Sequence, residues 1–420
     1  MAMLGRRFVN IVAAGKYKTG MLSVHRLDAS KHLFYPSASE ARFVGGDGEA
    51  PRPRPRRPTT KTLEELPAPC AIFKDATTAA ARTRSTAFLS LVSPGSEGSR
   101  ILFTNEAGDS MMYYADEGCP TGHTHAMPRL EEFAGPVAAS VSVVAQQAGG
   151  GGAAVKEESL YVMHGVRDGV APRFHVLRPP TDRWGGSTRV GEGWYWQSLP
   201  PPPFVSDDDD PDVVISSYTV VEGGRTICVS SYAAEAGTWC FDTVRGEWWH
   251  AGDWEMPFDG RAEYLADLDL WLGLSSSVGL GSTGTSTYYV YGELCTTSGL
   301  SLSAMAMNQP PTLLQRLYTP PEKRMMATNA KQVELINLGS GRFAIAKVFN
   351  WNHDYSDFEF GLDVVVGDKY DELLVVTGVE IRPCQPRDSC YIWSCSDGLE
   401  LIPHKSVSYM CRTHRIHQVL

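Results

Sequence analysis

Two stretches of the chain repeat one another. Residues 174–184, Phe-His-Val-Leu-Arg-Pro-Pro-Thr-Asp-Arg-Trp, match residues 238–248, Thr-Trp-Cys-Phe-Asp-Thr-Val-Arg-Gly-Glu-Trp, with Trp184 falling on Trp248. A short apolar run precedes each copy, Leu160–Met163 in one and Ile227–Val229 in the other, and an apolar-proline close follows, Leu199-Pro200 and Met256-Pro257-Phe258. The register is strand, turn, strand, a polar turn ending in Trp, then a strand descending to a proline. A unit of this kind cannot cover both of its own faces, so it is stable only when stacked against others. Radial stacking also leaves only short, protected sheet edges.

A weaker copy lies upstream, with Arg100–Thr104, a turn at Gly108-Asp109, Met111–Tyr114 and a close at Ala126-Met127-Pro128. Downstream, Tyr288–Tyr291, Arg342–Phe349, Glu372–Val376 and Tyr391–Trp393 read as further strands. Ala262–Leu274 would open another repeat. The two best copies lie 64 residues apart, and the inserts 148–154 (four consecutive Gly) and 200–210 (four Pro and four Asp) account for the length beyond common propeller repeats. The expected fold is all-β, a kelch-like β-propeller of about six four-stranded blades filling residues 62–420. Trp184, Trp248, Trp254 and Trp271 are then expected to pack between blades. The 40 Gly and 27 Pro agree with many turns, and the 43% hydrophobic and 20% charged fractions exclude wholesale disorder.

Residues 1–42 and 43–61 differ from the rest. Twelve Lys or Arg against four acids give the first 61 residues a charge of +8, so the formal −10 of the whole chain hides a body of −18. An acidic body argues against nucleic-acid binding by the whole surface. From Met1 to Leu27 there is no acid, and two readings compete: a mitochondrial presequence, or a hairpin of Phe8–Val12 with Met21–Leu27 turning at Gly15–Gly20. The Gly-rich and alternating Pro/Arg segment 43–61 reads as an extended linker, with a nuclear-localisation patch or a proline-motif ligand as its functional alternatives. Cytoplasmic or nuclear residence is expected, with the mitochondrion as the alternative. No apolar run reaches the roughly 18 residues of a membrane-spanning helix.

Nine scattered cysteines read as reduced thiols. Cys384, Cys390, Cys395 and Cys411 with His414 and His417 form the one cluster resembling a metal site. Cys411-x2-His414 fits a zinc pair, but the other gaps are loose, and buried inert thiols are the better expectation. Gly281-Ser282-Thr283-Gly284 is loop rather than a nucleophile elbow, and Gly149–Gly152 lacks the Lys-Ser/Thr of a phosphate loop. His353-Asp354, Asp357 and Glu359 could serve acid/base chemistry, and Asp207–Asp210 could hold a cation or clamp the basic segment; solvated acidic loops are the simpler reading. No residue is assigned a catalytic, cofactor or metal role.

Arg6–Val12, Leu33-Phe34-Tyr35-Pro36-Ser37 and the run from Phe241-Asp242-Thr243 through Gly252-Asp253-Trp254 to Gly260–Tyr264 resemble a plant family expanded in grasses, a domain of unknown function with kelch or F-box-associated-like repeats. The resemblance spans essentially the full chain and implies a propeller-like fold with no established activity. The expected function is a non-enzymatic protein-interaction scaffold with a protein partner of unknown identity. Alternatives are a mitochondrially targeted protein acting on an organelle component, and a propeller-based hydrolase or oxidoreductase.

Overall fold

The computed structural model describes residues 5–15, 21–45, 64–74, 87–91, 98–105, 107–116, 123–130, 137–147, 155–164, 173–179, 193–204, 215–231, 236–265, 267–280, 287–301, 303, 305, 308–317, 330–351, 371–383, 395–396 and 399–420. Strand accounts for 67% and helix for 6%, so the chain is all-β. Strands β1 (Phe8–Gly15), β2 (Met21–Asp28) and β3 (Pro69–Lys74) run antiparallel, with helices α1 (Ala29–His32) and α2 (Ala38–Gly45) between β2 and β3. Next come two four-stranded meanders. One contains β4 (Ala87–Leu91), β5 (Gly98–Thr104), β6 (Ser110–Asp116) and β7 (His123–Met127), the other β8 (Val137–Gln147), β9 (Val155–His164), β10 (Phe174–Arg178) and β11 (Tyr195–Leu199).

An eight-stranded sheet follows. It holds β12 (Ile215–Val221), β13 (Thr226–Ser231), β14 (Thr238–Asp242), β15 (Glu247–Gly252), β16 (Asp259–Leu265), β17 (Leu270–Leu280), β18 (Thr287–Ser298) and β19 (Thr312–Leu317), in the order β15-β14-β13-β12-β16-β17-β18-β19. The next sheet has five strands: β20 (Gln332–Gly339), β21 (Arg342–Trp351), β22 (Asp371–Pro383), β23 (Cys395–Ser396) and β24 (Leu399–Cys411). The last strand, β25 (His414–Val419), returns to the first sheet, whose order is β25-β1-β2-β3.

The arrangement is β-propeller-like, with four blade-like sheets of four or five strands. Six separate four-stranded blades are not what the hydrogen bonds delimit. Strands β12 and β16 run parallel and pair at Ser217↔Gly260 and Tyr218↔Arg261, which merges two four-stranded runs into one sheet. A parallel contact of two residue pairs leaves no periodic signal in the sequence. The chain divides into two compact units, one of residues Met1–Thr83, Ser277–Glu293 and Leu317–Leu420, the other of Arg84–Ser276 and Leu294–Arg316.

In the first unit, the acid-free N-terminal segment becomes an interior strand. β1 pairs with β2 from Phe8↔Asp28 to Ala14↔Leu22 and, on its other side, with β25 from Ile11↔Val419 to Gly15↔His414. Reciprocal bonds between Asn10 and Leu420 extend that pairing, N to O at 2.7 and 2.8 Å. Val9, Ile11, Val12 and Ala13 are fully buried. Burial of Ile11 alone is worth about 1.5–3 kcal/mol, and its neighbours in the core include Leu27, Leu374, Val376, Tyr409 and Ile416.

In the second unit, the repeated register appears as paired strands. β10 and β14 are each the third strand of a four-stranded run, as the alignment of residues 174–178 with 238–242 requires. The turn after β14 is set by Asp242, whose Oδ1 accepts from the Val244 and Arg245 amides at 2.9 and 3.0 Å, while Gly246 adopts φ +72° to complete it. The arginines around this turn and those two amides hold the Asp242 carboxyl below its usual range, against the upward push of desolvation, the largest single influence.

Candidate functional site

Of the metal-like cysteine and histidine set, Cys384 and Cys390 lie outside the described residues, and Cys395 is described only as part of strand β23. The other three have separate surroundings. Cys411 is buried in the apolar core of the first unit, and burial, with Glu372 and Asp371 adding to it, pushes its thiol up to about 12. His414 begins β25 and meets the His25 ring edge-on at 5.8 Å. Burial, with Lys331 second, brings His417 down to about 4, so it is neutral. Among the described residues, no group of three or more His, Cys, Asp or Glu is placed to hold a metal ion. Residues His353, Asp354, Asp357 and Glu359, Asp207–Asp210, Gly149–Gly152, Gly281–Gly284, Pro51–Pro58, Trp184 and Tyr391–Trp393 all lie outside the described residues.

Among the described residues, the carboxylate held furthest from its ordinary value is one that the sequence reading passed over. Glu380, on β22, is 2% exposed. Its Oε2 receives Arg342 Nε at 3.3 Å and His404 Nε2 at 3.1 Å, and Arg382 binds its Oε1. Desolvation pushes the carboxyl upward, but the His404 hydrogen bond and the Arg342 and Arg382 charges outweigh it and hold the group at about 2. His404 is fixed at both nitrogens: Nδ1 accepts the Tyr35 amide at 3.2 Å, so Nε2 carries the proton and donates to Glu380.

What this network does is dock the segment after β2. Arg342 lies over the Phe34 ring at 5.1 Å, His404 packs edge-on against the same ring at 4.9 Å, and Lys405 N donates to Leu33 O at 3.0 Å. Arg42 of α2 grips the buried Glu400 of β24 with both Nε and a terminal nitrogen, the former at 2.7 Å from Oε1. Gly378 has no side chain because the Leu33 carbonyl sits where a Cβ would go. The only sequence signal for this clamp was a glutamate in each of two apolar strands, Val-Glu-Ile on β22 and Leu-Glu-Leu on β24.

In the second unit, the prolines that close each repeat accept hydrogen bonds from the sheet that follows. Trp196 Nε1 donates to Pro128 O at 3.1 Å, and Trp248 Nε1 to Pro200 O at 2.8 Å. Within the eight-stranded sheet, Cys295 Sγ of β18 is 3.5 Å from Pro257 O, which follows β15. The Trp248 ring also packs against Phe174 and Phe241, at centroid distances of 5.6 and 5.0 Å. Packing between repeats, expected for Trp248, is therefore present, and Trp254 and Trp271 pack in a cluster shared by β12–β15 and β16–β18. The partner of Trp248 in the neighbouring repeat is Trp196: Phe241 faces Trp248 across the ladder as Leu177 faces Trp196.

These bonds link β7, β11 and β15, each the terminal strand in its sheet order. Rings are among their exposed residues. On β7, His123 is exposed and stacks on Tyr114 at 4.9 Å, with His125 5.2 Å from His123. Tyr195 of β11 is 42% exposed, and Val244, in the turn before β15, is 78% exposed. His250 of β15 is exposed beside Trp239 at 4.9 Å.

Sheet architecture and these ring-lined edges define an all-β repeat protein of the propeller-like class. The chain belongs to the family described as "Protein of unknown function (DUF1668)", which it matches over residues 6–409. No curated protein matches it. Among solved structures it is similar to the periplasmic gluconolactonase PpgL of Pseudomonas aeruginosa, with a TM-score of 0.38 at 10% identity, covering 81% of this chain and 92% of that one. It is also similar to the WD40 domain of SCAP from fission yeast, with a TM-score of 0.31 at 8% identity, covering 96% and 82%. A third is the dihydro-heme d1 dehydrogenase NirN, with a TM-score of 0.31 at 12% identity, covering 96% and 75%. Likeness at this level carries no inference about activity.

Proposed function

We propose that the protein is a non-enzymatic interaction scaffold that binds an extended segment of a partner protein along the edge strands β7, β11 and β15. The observation that carries this reading is that three terminal strands, joined in series by the Trp196–Pro128 and Trp248–Pro200 hydrogen bonds, carry exposed His123, Tyr195 and His250, with exposed Val244 in the turn before β15. A terminal strand offers backbone donors and acceptors to an added strand, and neighbouring rings supply the apolar contacts that select it. The net charge of −18 beyond residue 61 favours a basic partner.

Two finer readings accompany this one. The eight-stranded sheet is best counted as two four-stranded blades joined at Ser217 and Tyr218, which restores a six-blade, kelch-like architecture. The burial of β1 between β2 and β25 supports the reading in which residues 8–15 and 21–28 act as part of the fold, with the working location cytoplasmic or nuclear.

The test is affinity capture with the full chain and with a triple variant, Tyr195→Asp, Val244→Asp and His250→Asp, whose fold is checked by circular dichroism. A protein retained by the wild type, lost from the variant and weakened by added salt is the expected result. Equal retention by both chains would remove the edge strands from the reading.

A further inference from the structure

Cys228 on β13 and Cys240 on β14 are directly opposite one another in the antiparallel ladder. Their sulfurs are 2.7 Å apart, far inside the ~3.5–4.0 Å of ordinary contact between unbonded heavy atoms. A disulfide needs about 2.05 Å, so closing the remaining gap takes small side-chain rotations and no change of register. Both residues are fully buried, and Met305 Sδ lies over the pair at 3.7 Å from Cys228 and 3.6 Å from Cys240. Cys70, Cys295 and Cys411 face elsewhere: Cys70 Sγ donates to Val24 O at 3.2 Å, Cys295 Sγ to Pro257 O at 3.5 Å, and Cys411 Sγ lies 4.0 Å from Tyr409 O.

From this geometry we infer that Cys228 and Cys240 are a modification site, a thiol pair that closes to an intrachain cross-strand disulfide when an oxidant is present. The chain as described holds both as free thiols. In the step, each sulfur gives up its hydrogen and the two Sγ atoms form one S–S bond. Two protons and two electrons pass to a low-molecular-weight disulfide such as glutathione disulfide, whose own S–S bond breaks to give two thiols. Exchange runs through a mixed disulfide on one cysteine, which the other displaces.

The surroundings favour the product over the alternatives. A disulfide is uncharged and suits the apolar cluster of Val221, Ala251, Phe258 and Trp271. A soft monovalent ion held by two thiolates would place a net negative charge in that apolar cluster. Burial and the proximity of Cys228 push the Cys240 thiol up, so its thiolate is scarce while the sheet is closed. Oxidation is therefore slow in the native protein and fast during refolding. Once formed, the bond shields itself from reductants by the same burial, and it fixes the hairpin that carries β15 on its next ladder.

Trypsin releases both cysteines in one peptide, Thr226–Arg245, which contains no third cysteine. The full chain is held in glutathione disulfide, once as the native protein and once during refolding from denaturant, then alkylated under denaturing conditions, digested and weighed. The expected peptide is two hydrogens lighter than its reduced form and unalkylated, becomes doubly alkylated only after reduction, and appears faster in the refolding arm. A Cys240→Ser chain should show no such loss of hydrogen. A refolding arm that at completion still yields the peptide doubly alkylated, or with glutathione left on its cysteines, or linked to another cysteine, would overturn the inference. The wild-type measurement decides the matter even where the serine variant folds poorly.

Discussion

The indole Nε1 of Trp248 lies 2.8 Å from the carbonyl oxygen of Pro200, and Trp196 stands in the same relation to Pro128 at 3.1 Å. A proline has no amide hydrogen, so it ends the strand it follows, yet its carbonyl remains a full acceptor. Each repeat thus stops at the residue that the next one holds. Trp248→Phe and Trp196→Phe should each cost about 1 kcal/mol, the net value of one hydrogen bond with the ring packing kept. As they join different pairs of strands, the double variant should be additive within about 0.5 kcal/mol in urea titrations.

Acid stability should fall in two windows. The carboxyl of Glu380 is depressed from 4.5 to about 2, so its stabilisation is complete above pH 4.5 and is lost as pH falls towards 2. Glu380→Gln should cost about 3 kcal/mol at pH 7, because Arg342 and Arg382 are left facing an uncharged group, and much less at pH 2. Denaturant midpoints at both pH values check this.

His175 and His417, each lowered from 6.5 to about 4, act higher up the scale. Burial is the main cause for both, with His164 second for His175. Their neutral forms stabilise the fold above pH 6.5, and that contribution is lost as pH falls towards 4. His175→Leu should flatten the decline in melting temperature between pH 6.5 and 4; an unchanged slope would put the cause elsewhere.

Two glycines separate backbone strain from collision. Gly108 has φ +83° and the Leu130 carbonyl where a Cβ would stand, whereas Gly246 has φ +72° and nothing within 4 Å. Gly246→Ala should cost about 1 kcal/mol from its left-handed backbone alone. Gly108→Ala should cost at least about 2 kcal/mol more by the same thermal melt, because backbone must move.

How far the sequence was legible varies with the kind of signal. The third strands of the repeats, β10 and β14, could be aligned because both lie in short apolar runs bounded by turn residues. Pairing Trp184 with Trp248 failed for a local reason: the insert between β10 and β11 carries its own Trp, and only the ladder reveals Trp196 as the match. Phe8–Val12 could be read as a strand or as a leader, since a buried central strand and an apolar-basic presequence have the same composition. The Glu380 clamp was invisible because Arg342, Glu380 and His404 sit on three different strands, Tyr35 lies 369 residues from His404, and the four meet only through folding. Leu33–Ser37, one of the phrases through which the chain resembles its family, turns out to be the segment that this clamp holds.

The scaffold reading is tested most directly by hydrogen–deuterium exchange on the full chain, free and bound to a captured partner. The account predicts added protection of the β7, β11 and β15 amides, with the β1 amides slow in both states because they are already paired on both sides. Protection confined to other strands, with those three edges exchanging as in the free protein, would contradict it.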